Sequence, residues 1–323
     1  MTLLTRRMAL AAFGTPLTAR AQGGWPNQPV RIVVPFAPGG SSDITLRLLA
    51  PRMATFLGRP IVVENRPGAG STVGTDFVAK ATDGHTFVHA TLSGIGVAPA
   101  LFPNLPYDPV RDLVAIAPTT LVPFALTVTT QGWSIRTAQE LIEALRANPG
   151  RFQYGSPGVG STGHLANANF VSRIGADVLH IPYRAGAQTT AAVLAGEVQF
   201  SHEVYGIAGP HHREGRLRCL FVSADERSAL LPDVPTMQEA GVPSYRANSW
   251  FGLFGPATTP AAHVARLAAA VGEAISDPST LARIAELGTV VLPRWTPERF
   301  AAFVTEEVRE WAPLVRASGA RAD

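Results

Sequence analysis

Two glycine-rich segments hold the residues of this chain whose types and spacing point most directly to chemistry. Residues 31–43 read RIVVPFAPGGSSD and residues 155–162 read GSPGVGST. In each, an apolar run ends in a proline-containing turn, and glycines and hydroxyl residues precede a helical pattern. Gly39 and Gly40 lack a Cβ, so the backbone there can take positive φ and lie close to a bound group. The helix that follows begins with N–H groups that lack intrahelical acceptors, and its positive dipole end suits an anion. The competing reading is a plain strand-to-helix turn capped by Ser41 or Ser42. The second segment has the glycine spacing of a phosphate-binding P-loop, but Ser161 stands where the lysine that contacts the β and γ phosphates is required. It does not read as a nucleotide hydrolase. Its backbone N–H groups, with Ser156, Ser161 and Thr162, can still cradle a carboxylate. If the two segments face each other, each can hold one end of the same small dianion.

Catalytic patterns are sparse. There is no G-x-S-x-G nucleophile elbow, and His202-Glu203 lacks the second histidine of a zinc-binding helix. His211 and His212 are adjacent, and His85 and His89 lie around an expected strand. Cys219, the only cysteine, sits in an apolar run and reads as a buried, inert thiol. Ser161 with His164 stands as a hydrolase alternative. The expectation is a chain with no catalytic residue, no metal site and no cofactor.

Residues 1–21 carry Arg6 and Arg7, an apolar stretch over 8–17, and Ala19-Arg20-Ala21 before Gln22, which reads as a cleaved export signal. Residues 5–10 also fit a twin-arginine signal, and an ordinary secretory signal fits as well. A periplasmic location is expected, with no membrane insertion, because no later apolar run is long enough to span a bilayer. Three of the 27 basic residues lie in this signal, so those that remain match the 24 acidic ones. A neutral chain without a basic stripe or charged tail argues against nucleic acid as a partner. Roughly 300 residues beyond the signal suffice for two modest cores.

The elements that must position the glycine segments alternate. Residues 30–36 read as a strand, and Ile44, Leu48, Leu49, Met53, Phe56 and Leu57 recur at helical spacing up to Gly58. Residues 60–64 form a second strand closed by Arg66-Pro67-Gly68-Ala69-Gly70. Val73, Phe77 and Val78 mark another helix, and residues 87–90 a third strand. Strands separated by helices at these intervals imply a parallel sheet with helices on both faces. The pattern restarts where Thr137 and Glu140 form a capping box. Strands then follow over 152–155, 178–182, 198–203 and 217–223, with a helix from about Thr162. Thr259-Pro260, Asp277-Pro278 and Thr296-Pro297 each place a capping residue before a proline, so three helices close the chain, and residues 250–254 are the strand that crosses over. The expected fold class is α/β in two domains, each a mainly parallel sheet flanked by helices, with a ligand cleft between them. Domain 1 takes residues 22–122 and 246–323, the C-terminal helices packing back on it, and domain 2 takes residues 123–245.

The segments PVRIVVPFAPGGSSDITLRLLA, VVENRPGAGSTVGTDFVAKATDGHTF, LPYDPVRDL, FQYGSPGVGSTGHLA, HIPYRAG, LLPDVPTMQEAGVP and SWFGLFGP follow one another in this order. Together they resemble the periplasmic solute receptors of tripartite tricarboxylate transporters, the Bug family, from Trp25 almost to the C-terminus. The resemblance implies a Venus-flytrap binding protein, a monomer and not an enzyme, that closes on a small organic acid and delivers it to membrane transporter subunits. A subunit that presents its ligand to a membrane sensor kinase would share the same pocket chemistry. In that family the ligand is held largely by backbone amides, hydroxyls and bound waters. By position this points to Ala37, Pro38, Gly39, Gly40, Ser41, Ser42, Asp43, Thr91, Ser156, Gly160, Ser161, Thr162, His164, Tyr183 and Glu203. The chain departs from the family where an Asp-Asn pair is usual and Glu203-Val204 stands instead. With His89 and His202 this implies a reshaped pocket that titrates near neutrality; the other reading turns both histidines into the helix layers.

Overall fold

The computed structural model describes residues 24–320 apart from 184, 185, 244, 246 and 293; the expected export signal lies outside the described residues. The first elements are β1 (Val30–Val34), α1 (Ser41–Leu57), β2 (Ile61–Asn65), α2 (Thr72–Ala79), β3 (Thr86–Thr91), the short α3 (Ala98–Leu101) and β4 (Leu113–Val122). Next come β5 (Phe124–Thr129), α4 (Ala138–Ala147), β6 (Gln153–Ser156), α5 (Thr162–Arg173), β7 (Leu179–Pro182), α6 (Gly186–Ala195), β8 (Phe200–Val204), α7 (Tyr205–Arg213) and β9 (Leu217–Val222). The chain then returns through β10 (Ser249–Pro256), α8 (Ala261–Ala274), α9 (Pro278–Glu286), β11 (Val290–Val291) and α10 (Pro297–Ala317).

These strands build two sheets, in the orders β11-β4-β10-β3-β1-β2 and β7-β6-β8-β5-β9. In the first, β1 runs parallel to β2 and β3, whereas β10 is antiparallel to both β3 and β4. In the second, β6 is parallel to β7 and β8, and β5 is antiparallel to β8 and β9. Both sheets are therefore mixed, each with an antiparallel strand contributed by a segment next to a crossover.

Apolar spacing explains the layers. Leu46, Leu49, Met53 and Leu57 of α1 pack with Leu267, Val271 and Ala274 of α8 over Ile32, Phe87 and Leu253, so these two helices cover one face of the first sheet. Gly58 ends α1 in a left-handed turn, its N–H bonded to the Ala54 carbonyl. The opposite face carries Val33, Val88, Trp250 and Phe254 against Phe300, Val304 and Trp311 of α10. Both indoles donate to the buried Glu307 carboxylate, at 2.9 Å from Trp250 and 3.1 Å from Trp311.

The capping readings differ at one of three places. Asp277 and Thr296 each accept from the N–H three residues on, at 2.9 and 3.3 Å. Thr259 instead donates to the Pro256 carbonyl at 2.7 Å, and Pro260 becomes the N-cap of α8. The strands β4 and β5 are not visible to periodicity, because residues 113–129 are a largely apolar stretch whose two prolines and four threonines follow no alternation.

The run matters because it carries the first crossover. β4 ends at Val122, and Phe124 opens β5 opposite Val204, the last residue of β8. The return strand starts at Ser249, opposite Val122. Both crossovers thus lie at the C-terminal ends of the parallel strands of both sheets. Ser223 and Asn248 clasp them: the Phe124 N–H donates to the Ser223 hydroxyl at 2.8 Å, and Asn248 donates to the Ser223 carbonyl at 3.0 Å. By this topology the loops after β1, β3, β6 and β8 all open toward the space between the sheets, where α/β proteins place ligands.

Candidate functional site

Residues 37–40, between β1 and α1, are exposed, while Ser42 and Asp43 behind them are buried. Gly39 takes φ +82° and Gly40 is the N-cap of α1, with no side chain capping the helix. Asp43 turns back on its own loop. Its carboxylate accepts from the Gly39 N–H, from Arg47 Nε and from Asn65 Nδ2, each at 3.0 Å. Asn65 also donates to the Phe36 carbonyl at 3.0 Å. Burial raises the carboxyl's pKa, but these bonds outweigh it and hold Asp43 below the usual carboxylate range. The acid braces the loop.

Ser42 faces inward as well. Its Oγ lies 3.0 Å from His89 Nδ1, His89 Nε2 lies 3.0 Å from Thr119 Oγ1, and Thr119 Oγ1 donates to the Phe251 carbonyl at 3.0 Å. A carbonyl can only accept, so the threonine proton is spent on Phe251. His89 Nε2–H must then donate to Thr119, and Nδ1 accepts from Ser42. Thr119 reaches the ring because β4 bulges there: Phe251 pairs with Thr120 while Gly252 pairs with Pro118. Burial pulls the His89 pKa down to about 4, so the ring is neutral at physiological pH. Beside it, Thr91 ends β3 with a buried hydroxyl that has no partner among the described residues.

The loop before α5 is satisfied from within. Ser161 Oγ accepts from the His164 N–H at 3.2 Å and donates to the Gly158 carbonyl at 2.7 Å. The Gly158 N–H donates to Ser156 Oγ at 3.2 Å, and the Gly160 N–H donates to His164 Nδ1 at 3.2 Å. Ser156 Oγ also lies 2.7 Å from His180 Nε2. His180, which sequence reasoning passed over as a strand residue, stacks between Tyr154 and His164, at ring distances of 4.9 and 4.0 Å. Burial holds His164 down to about 3, with the neighbouring His180 adding to it, and His180 down to about 4. The Ser161 and His164 side chains make no nucleophile–base bond, which removes the structural basis of the hydrolase alternative. Thr162 at the helix start is buried.

Three sequence-derived readings meet a different geometry. The Tyr183 N–H donates to the Ser156 carbonyl at 2.8 Å and its ring covers Gly155, while burial and the nearby Glu197, before β8, raise the pKa of its hydroxyl. Glu203 is buried on the α6 face, where it accepts from Ser201 at 2.9 Å and Thr190 at 3.0 Å. Burial pushes its carboxyl up to about 7 against the pull of those hydroxyls. His202 faces the α5 side. Asn167 donates through Nδ2 to the Gly155 and Gly163 carbonyls, so its Oδ1 accepts from His202 Nδ1–H at 2.8 Å. His202 Nε2 then accepts from the Tyr245 hydroxyl, and burial holds the ring's pKa near about 3. Neither His89 nor His202 titrates near neutrality; each turns toward a helix, His89 to Ser42 of α1 and His202 to Asn167 of α5, which is the other of the two readings.

The lobes touch around these loops. A Cβ on Gly160, which has φ +76°, would lie 2.1 Å from Leu101 Cδ2 of the first lobe. Leu165 of α5 joins the cluster of Leu92, Leu101 and Trp311. Ala69 and Ser71, in the loop after β2, hold left-handed φ values of 42° and 82°. Such strain gathers at functional sites, and the turn reading of residues 66–70 did not single them out. A surface depression of about 610 Å³ lies elsewhere, along α2. Its cations are already paired, Arg66 with Glu64 and Lys80 with Asp76.

Residues 45–320 match the tripartite tricarboxylate transporter family receptor, TctC. The chain belongs to this family. Protein BugT of Bordetella pertussis is 34% identical over 316 residues, covering 97% of this chain and 95% of that protein. Among solved structures, MatC (Rpa3494) from Rhodopseudomonas palustris with bound malate superposes with a TM-score of 0.79 at 33% identity, over 90% of this chain and 100% of that one. Rpa4515 of R. palustris with adipate gives 0.81 at 30% identity, over 92% and 99%. The TctC-family chain is accordingly a solute-binding receptor of α/β fold, and no helix among its described residues is long and apolar enough to cross a membrane.

Proposed function

We propose that this receptor works in the periplasm, captures a small organic acid with at least one carboxylate between its two lobes, residues 22–122 with 246–323 and residues 123–245, and hands it to the membrane subunits of a tripartite carrier. The observation that carries the ligand class is the uncapped start of α1. Ser42 and Asp43, the residues that could have satisfied its N–H groups, are turned away into His89 and onto Gly39, Arg47 and Asn65. The N–H groups of residues 41–43 are left for an external anion at the positive end of the helix dipole. Ala37 to Gly40 shape the rim. Thr91 and the start of α5, with Thr162 and His164, face the other end of the ligand. Structural neighbours bound to malate and adipate support this class.

Dipoles, not full charges, do the holding, so parting of the lobes divides the site and frees the ligand. The test is calorimetric titration of refolded protein with C4 to C6 di- and tricarboxylates, amino acids and aromatic acids. One-to-one binding lost on bulky replacement of Gly39 is expected. Absence of binding to every carboxylate would refute the ligand class.

A further inference from the structure

We propose that His89 is a positioning residue for anion binding, acting through Ser42; the proposal rests on the carboxylate reading of the α1 start. The argument begins with proton direction. With the Thr119 hydroxyl donating to the Phe251 carbonyl, the chain of bonds runs on through His89 to Ser42 so that the Ser42 hydroxyl gives its only proton to His89 Nδ1. Ser42 therefore cannot donate to a carboxylate. It serves as a tether that draws the first turn of α1 onto β3 and keeps its own oxygen from competing for the helix N–H groups.

The tether is unusually well anchored. His89 is fully buried in β3, its ring is 5.5 Å from the Phe251 ring in an edge-on contact, and Thr119 sits at a β-bulge that aims it at the ring. Asp43 locks the other side of the same turn through Gly39, Arg47 and Asn65. The two devices hold the first turn from below and from the rim, so its N–H groups stay aimed at the cleft without a cap. Preorganised donors of this kind bind more tightly than mobile ones, because no ordering remains to be done on binding.

A double-mutant cycle tests the assignment, with malate and adipate as probes. His89→Leu and Ser42→Ala should each weaken binding roughly tenfold, as expected for one buried hydrogen bond. The double variant should show about the same tenfold loss, because both changes cut one tether. His89→Gln, whose amide can accept from Ser42 and donate to Thr119, should recover most of the affinity. Independent losses that multiply to roughly a hundredfold, or no recovery with glutamine, would overturn the role. Amide hydrogen exchange in residues 41–43 supplies a readout that needs no ligand and covers a variant of lowered stability. His89→Leu should accelerate it locally, beyond any change in global protection, and unchanged local exchange would refute the tether. If wild-type protein binds neither probe while exchange responds as stated, the carboxylate reading fails and the tether stands.

Discussion

At the loop before α5, Ser161 caps the helix, Ser156 and Gly158 bond each other, and His164 takes the Gly160 N–H. At the loop before α1 no side chain caps the helix, and the nearby serine and acid point inward or backward. Similar glycine-serine sequences thus reach opposite states, one largely self-satisfied and one held open. The second loop is also covered, since Leu101 sits against Gly160, whereas nothing lies within 4 Å of a Cβ on Gly39. A glycine loop at a helix start is therefore only half of an anion site. The other half is what its own side chains do with their protons and lone pairs.

Acid should separate the two lobes most strongly. Three of the depressed imidazoles, His164 near about 3, His180 near about 4 and His202 near about 3, belong to the second lobe, and His89 near about 4 to the first. Each stays neutral when folded but takes a proton when unfolded below its ordinary value of 6.5. Their stability is full above that value and is lost as pH falls toward the folded values. Glu203, raised from 4.5 to about 7, works the other way: its contribution is present below 4.5 and lost as pH rises to about 7. Between these limits unfolding takes up about two net protons in the second lobe, while in the first His89 takes up about one and His263, which burial also lowers, adds to it, at roughly 1.4 kcal/mol per proton per pH unit. Hydrogen exchange at pH 5 compared with pH 7 should show the second lobe opening first and more steeply. Equal loss in both lobes would contradict the burial argument.

Glycine substitutions sharpen the comparison. Gly160→Ala sets a Cβ 2.1 Å from Leu101 Cδ2 at φ +76°, and should cost about 2–4 kcal/mol of stability, from overpacking and backbone strain together. Leu101→Ala on top should return the packing part. Gly39→Ala meets strain alone, about 1–2 kcal/mol, and should fall mainly on ligand binding. Urea unfolding and calorimetry on the same proteins check both.

Much of this was legible in the sequence. The strand-glycine-helix order set both loops in place, and Asp277 and Thr296 declared their helices through local spacing. The return strand β10 showed, but β4 and β5 of the first crossover did not, because they share one largely apolar stretch and buried strands carry no alternation. His89 and His202 were legible as unusual but not as to direction, since one residue of register decides which face of a strand a side chain takes. The Thr119 bulge and the His180 stack depend on contacts between elements far apart in the chain. No local pattern announces them.

The smallest effects lie in the serines. Ser161→Ala removes a real cap and should cost about 1 kcal/mol. Ser41→Ala removes none and should stay within about 0.5 kcal/mol. Equal costs would mean that the two helix starts are capped alike.

The most direct test of the central claim is residue-resolved amide exchange of the refolded protein with and without saturating malate or adipate. The account predicts new protection concentrated at residues 41–43, with smaller changes at the start of α5. Protection confined to residues 156–164, with residues 41–43 unchanged by a bound carboxylate, would contradict it.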